Sequence, residues 1–170
     1  MTITTEPLQR WQVDTAPDPT EFVRYLERVS EHHTIRKASR DRLMAAQLAP
    51  GSTVLDLGCG IGGDTIMLAE AVGPSGEVHA VDHARLMTET TACRAAQRGL
   101  KVVCKEAEGT ALPYPDAKFD LVWMSRVLLH VASPQDVLSE VRRVLRDGGQ
   151  FVVNEPDFDG VMILDCGDAD

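Results

Sequence analysis

The sequence predicts an α/β fold, a mostly parallel sheet with helices on both faces, and three observations lead there. Five short apolar runs alternate with stretches of helical periodicity, the order in which crossover helices join parallel strands. Turns rich in glycine and proline separate them, at Ala49-Pro50-Gly51, Gly73-Pro74-Ser75-Gly76 and Leu112-Pro113-Tyr114-Pro115-Asp116. The first run, Thr53 to Leu57, leads through Gly58-Cys59-Gly60-Ile61-Gly62-Gly63 straight into a helical stretch.

Residues 1–16 are polar without an apolar period and are expected to be mobile. Asp18-Pro19-Thr20-Glu21 opens a helix, with a cap, a proline at the first position and an acid three residues past the cap. Phe22, Tyr25, Leu26 and Val29 then fall on one helical face. A second helix is expected over 35–48, with His32 and His33 on a solvated helix end. Strands follow at 53–57, 77–81, 101–105, 119–124 and 150–154. Helices are expected from the glycine turn to Val72, from His83 to Arg98, and from Ser133-Pro134-Gln135-Asp136 to Asp147-Gly148-Gly149. The expected organisation is an N-terminal tail and lid helices (1–48), one ligand-binding domain (49–157) and a C-terminal tail (158–170).

The chain has 170 residues, 44% hydrophobic and 25% charged, the make-up of one soluble domain with a sizeable core. A net charge of -9 argues against nucleic acid or an anionic membrane as partner. No run approaches the ~18 apolar residues of a membrane span, and the N-terminus lacks a charged-then-apolar signal. Cys59, Cys93, Cys104 and Cys166 form no C-x-x-C pair and cluster with no histidine, so free thiols in the cytoplasm and no metal are expected.

A strand, a glycine turn and a helix in that order suit a nucleotide-type ligand. Gly58 to Gly63 satisfies the dinucleotide pattern G-x-G-x-x-G, with Asp82 about 20 residues on. Asp56 discriminates, because a carboxylate ending the strand repels a pyrophosphate and suits a ligand with an ammonium group. Val54-Leu55-Asp56-Leu57-Gly58-Cys59-Gly60-Ile61-Gly62 resembles the first motif of class I S-adenosylmethionine-dependent methyltransferases. The likeness extends over about residues 50–157 and is similar to the core of ubiquinone and menaquinone C-methyltransferases.

That resemblance implies a Rossmann-like three-layer fold of strand order 3-2-1-4-5, with the last two family strands missing. It implies S-adenosylmethionine as cofactor and S-adenosylhomocysteine as product. Asp56, Gly58, Gly60 and Gly62 would approach the cofactor. Asp82, ending Val78-His79-Ala80-Val81-Asp82, would hold both ribose hydroxyls, with His83 beside it; its other reading is a helix cap. Glu108, where many relatives carry Asp, and Gly109 would meet adenine. Ser125, closing Phe119 to Ser125, would touch the cofactor through its backbone. Glu140-x-x-Arg143 to Gly149 resembles the segment leading to the fifth strand, with Asp147 where proline is common.

His130, past the fourth strand, is the candidate general base, with a structural histidine as the alternative. Glu155 and Asp157 are further candidate bases, and Arg24 or Arg36 would meet the cofactor carboxylate. Cys59 reads as a packing residue. The chain ends at Asp170 without the family's further helix and strand pair, which suggests a fragment or a shortened member. The fifth strand would then be an open edge, covered by Val161 to Leu164 or paired in a homodimer. The expected function is methyl transfer to O, N or C of a small molecule. The rivals are a non-catalytic cofactor-binding or interaction module and a nicotinamide-dependent oxidoreductase.

Overall fold

The computed structural model describes residues 13–156. Asp157 and the 158–170 tail, with the Val161 to Leu164 run, lie outside the described residues. Helices α1 (Thr20–Glu31) and α2 (His33–Ala46) precede an alternation of β1 (Thr53–Leu57), α3 (Gly63–Val72), β2 (Glu77–Asp82), α4 (Arg85–Ala96), β3 (Val102–Glu106), β4 (Phe119–Ser125), α5 (Pro134–Val144) and β5 (Leu145–Asn154). All strand pairs are parallel, in the order β3-β2-β1-β4-β5. The chain turns back on itself between β1 and β4, and in open sheets of this kind a ligand crevice forms at that point, outside the strands' C-terminal ends.

β1 and β4 are buried on both faces, which explains why they are apolar apart from Asp56 and Asp120 and the residues at their ends. Leu55, Leu57, Val122 and Met124 pack under Val137, Val141 and Val144 of α5. Val54, Val78, Leu121 and Trp123 pack on the other face against Leu68, Ala69 and Val72 of α3. Arg42 of α2 lays its guanidinium over the Trp123 ring, 5.4 Å from the centroid, and Trp123 Nε1 donates to Asp64 at 2.9 Å. Between β3 and β4 runs a loop, which α5 clamps. Arg143 donates to the carbonyls of Leu112 and Tyr114 and to Asp116, and Glu140 accepts from the Leu112 amide.

Three expectations are corrected. Residues 13–16 belong to the fold: Val13 is fully buried beside Ile61 and Met87, and Val13–Thr15 forms a short 3-10 turn. The Asp14 carboxylate accepts from the amides of Arg85 and Leu86, so it caps α4 from 71 residues away. Asp14→Ala is expected to cost about 1 kcal/mol of stability, read by urea unfolding. Secondly, α5 stops at Val144, three residues before Asp147-Gly148-Gly149. Leu145 bridges to Phe119, residues 146–149 loop out, and pairing resumes over Gln150–Asn154. Thirdly, α2 spans His33–Ala46, two residues earlier at each end than expected, since a left-handed Gln47 (φ 48) closes it. His32 and His33 are exposed at its start, as expected.

Candidate active site

The glycine turn is wired to the end of β2. Val81 O accepts from the amides of Gly58 and Cys59, at 2.8 and 3.0 Å. Asp82 Oδ2 accepts from the Gly60 amide and Oδ1 from the Ala84 amide, both at 3.0 Å. Thr91 of α4 donates to Gly60 O at 2.8 Å. Gly58, Gly60 and Gly62 are all left-handed, with φ of 77°, 51° and 82°. A Cβ on Gly58 would lie 2.3 Å from the Val127 side chain, so that strand end is open only because it bears no side chain.

Two buried carboxylates flank the turn. Asp56 is 3% exposed and accepts from the Thr65 hydroxyl. Burial, reinforced by the charge of Asp64, pushes its carboxyl up to about 8. Burial also raises Asp82, opposed by the two amides it holds. The two readings of Asp82 therefore coexist: it caps the entry to α4, and its remaining lone pairs stay available to a ligand. His83 Nδ1 lies 3.4 Å from Asp82 Oδ1. Burial raises the Cys59 thiol, which suits an inert packing residue better than a nucleophile.

One cleft of about 1320 Å³ brings Asp56, Gly58, Gly60, Asp82, His83, Glu108, Gly109, Ser125 and His130 together. Gly62 is the exception. It lies outside the lining, and a Cβ there would meet Thr91 at 3.0 Å, so its bareness serves helix packing at the start of α3. Gly62→Ala is expected to lower stability by about 1–2 kcal/mol. Ligand affinity of the folded protein should stay within threefold, as calorimetry on both forms would show. Arg36 faces the cleft, but Arg24 does not; its guanidinium is held by Asp18 and Thr20.

The far side of the cleft carries a device that the sequence did not announce. Glu155 Oε1 accepts from the amides of Val127 and Leu128, at 2.8 and 3.0 Å, and Oε2 is buried with no hydrogen-bond partner among the described residues. Glu155 thus latches the loop after β4 to the end of β5. His130 sits in a short 3-10 turn of that loop, Leu128–His130. Burial lowers its pKa against the opposing pull of Glu155, which favours the neutral imidazole.

The fit to a cofactor rests on these features: bare left-handed glycines, two buried acids and a wide crevice at the sheet's reversal. A model of a methyltransferase domain matches residues 54–149. The chain belongs to that family. This methyltransferase domain is of the class I, S-adenosylmethionine-dependent kind, with the ubiquinone/menaquinone type of core, and the family implies S-adenosylmethionine and S-adenosylhomocysteine as its ligands. It is 40% identical over 141 residues to an uncharacterized 37.1 kDa protein of a Streptomyces fradiae transposon, covering 83% of this chain and 41% of that one. A demethylmenaquinone methyltransferase of Anoxybacillus flavithermus is 33% identical over 143 residues, covering 78% and 60%. The crystal structure of a SAM-dependent methyltransferase from Aquifex aeolicus superposes with a TM-score of 0.65 at 27% identity, over 76% of this chain and 68% of that one. The methyltransferase domain thus spans about half the length of the curated relatives it matches. No helix among the described residues is long and apolar enough to cross a membrane.

Proposed function

We propose that the protein transfers the methyl group of S-adenosylmethionine to an O, N or C nucleophile of a small molecule. One observation carries this reading. Two buried carboxylates, Asp56 and Asp82, flank a left-handed glycine turn at the strand ends. That arrangement suits an ammonium group, which favours the ionised form of Asp56, and hydroxyls, and it offers no cation to a pyrophosphate. Asp56 takes the ammonium group, Asp82 and His83 the ribose, and Glu108 with Gly109 the adenine. Gly58, Gly60 and Ser125 lend backbone, and Arg36 faces the cofactor carboxylate.

The cofactor supplies an already activated methyl group, so this chain's task is largely to align the acceptor with it. His130, held neutral by burial, takes the proton released by the acceptor. Helices α1 and α2 serve as a lid; support comes from Leu26, Ser30 and Ile35, which face the cleft from them. The likeness to a demethylmenaquinone methyltransferase favours a small-molecule acceptor. Unpaired thiols at Cys59, Cys93 and Cys104 suit a reducing cytoplasm.

Titration calorimetry tests the reading: S-adenosylhomocysteine should bind and NAD should not. Binding of NAD alone would sink it in favour of an oxidoreductase. Binding of S-adenosylhomocysteine without turnover over a panel of phenols, amines and quinols would favour a non-catalytic module. The outer edge of β5, with Val153 43% exposed, supports pairing with a second copy. A stable monomer by light scattering at micromolar concentration would count against that pairing.

A further inference from the structure

Charge is segregated along the C-terminal edge of the sheet. Taken in the order β3-β2-β1-β4, the strand ends carry Glu108 two residues past β3, then Asp82, Asp56 and finally Ser125-Arg126. Carboxylates stand over the first three strands and a guanidinium over the fourth. Arg126 is left-handed, with φ 59°, a conformation that a residue with a Cβ keeps only where its surroundings impose it. They do so here: its amide donates to Asn154 O at 2.7 Å, and the next two amides are taken by Glu155.

So positioned, the half-buried Arg126 side chain lines the cleft between Ser125 and His130 and has no hydrogen bond or ion pair among the described residues. The neighbouring charges do not neutralise it. Arg42, with its Nε buried and unpartnered, is a second cation close enough for mutual repulsion. Asp64 accepts from Trp123 Nε1 and Glu155 Oε1 from the loop amides, so neither carboxylate makes an ion pair with Arg126 among the described residues. Arg40 of α2 faces the same cleft, also without an ion pair among the described residues. In a chain of net charge -9 acids are abundant. Asp64 acts on Arg42, yet among the described residues no carboxylate forms an ion pair with Arg126 or Arg40.

Building on the methyl-transfer reading, we infer that the acceptor carries an anionic group, a carboxylate or a phosphate, and that Arg126 binds it. A guanidinium presents a planar fork of donors that matches either anion in two-point contact. The donor's positive groups then lie over the carboxylate half of the sheet and the acceptor's negative group over the arginine half. The two ligands are oriented head to head without a side chain that must reach both.

The test is calorimetry on the full chain, first with S-adenosylhomocysteine and then, on the loaded protein, with matched pairs of probes. The pairs are 3,4-dihydroxybenzoate with its amide, N-methylglycine with its amide, and O-phosphoethanolamine with ethanolamine. In at least one pair the anionic member should bind tenfold tighter or more, and the pair that responds separates carboxylate from phosphate. Arg126→Gly, which suits the left-handed backbone, should abolish the preference. Arg126→Lys should keep part of it. Both variants should bind S-adenosylhomocysteine within twofold of the parent. No preference in any pair, or one that survives Arg126→Gly, overturns the inference and leaves the cofactor reading intact. Failure of the parent to bind S-adenosylhomocysteine overturns the cofactor reading instead.

Discussion

Asp82→Ala is expected to weaken S-adenosylhomocysteine binding by about 100-fold, since two hydrogen bonds from ribose hydroxyls to a buried carboxylate would be lost, each worth roughly 1.5 kcal/mol. The same change should lower stability by about 1–2 kcal/mol. The amides of Gly60 and Ala84 lose their acceptor, and the glycine turn loses one of its ties to β2. Relief of a buried charge offsets part of that cost. Asp82→Asn separates the two effects: an amide oxygen still accepts one backbone hydrogen bond, so stability should recover more than affinity. Calorimetry and urea unfolding on both variants read the split. An Asp82→Ala variant with parental affinity removes this residue from the cofactor site.

Asp56 gives the second large effect, a pH dependence that changes sign when ligand is present. Its carboxyl titrates near 8 in the folded, ligand-free protein and near 3.8 when exposed. Between those values the folded state keeps a proton that the unfolded chain has released. Stability therefore falls as pH rises through that window, by at most about 1.4 kcal/mol per unit, and levels off above pH 8. Asp56→Asn removes the dependence and should leave the ligand-free protein more stable than the parent at pH 8. Binding runs the other way, because an ammonium group favours the carboxylate. Affinity for S-adenosylhomocysteine should rise from pH 6 to 8 in the parent and stay flat in Asp56→Asn. Urea midpoints and calorimetry across pH 5–9 check both arms, and a parent with a pH-independent midpoint would contradict the first.

Local patterns made the sheet legible. Thr53 to Leu57 and Phe119 to Ser125 are mostly apolar on both faces, and turn residues bound them, so neither needed long-range information. Asp56, Asp82, Glu108 and Ser125 were legible because each sits at or just past a strand end, where topology gathers side chains into one crevice. Gly62 lies outside the cleft lining for a physical reason that sequence does not carry: a glycine that admits a ligand and one that admits a helix leave the same mark, and here Thr91 crowds the position. Asp14 on α4 and Glu155 on the loop after β4 act across 71 and 28 residues, distances over which no periodicity carries a signal. Arg126 was illegible too, since left-handed backbone is announced by glycine or asparagine and not by arginine.

The Glu155 latch also orders assembly in time. The ties of the glycine turn run to β2 and α4, which precede β5 in the chain, whereas the loop bearing Arg126 and His130 gains its two Glu155 contacts only once residue 155 has been made. That side of the cleft is thus the last to gain its contacts. Substitutions at Glu155 should therefore shift the loop after β4 while leaving the ties of the glycine turn to β2 as they are.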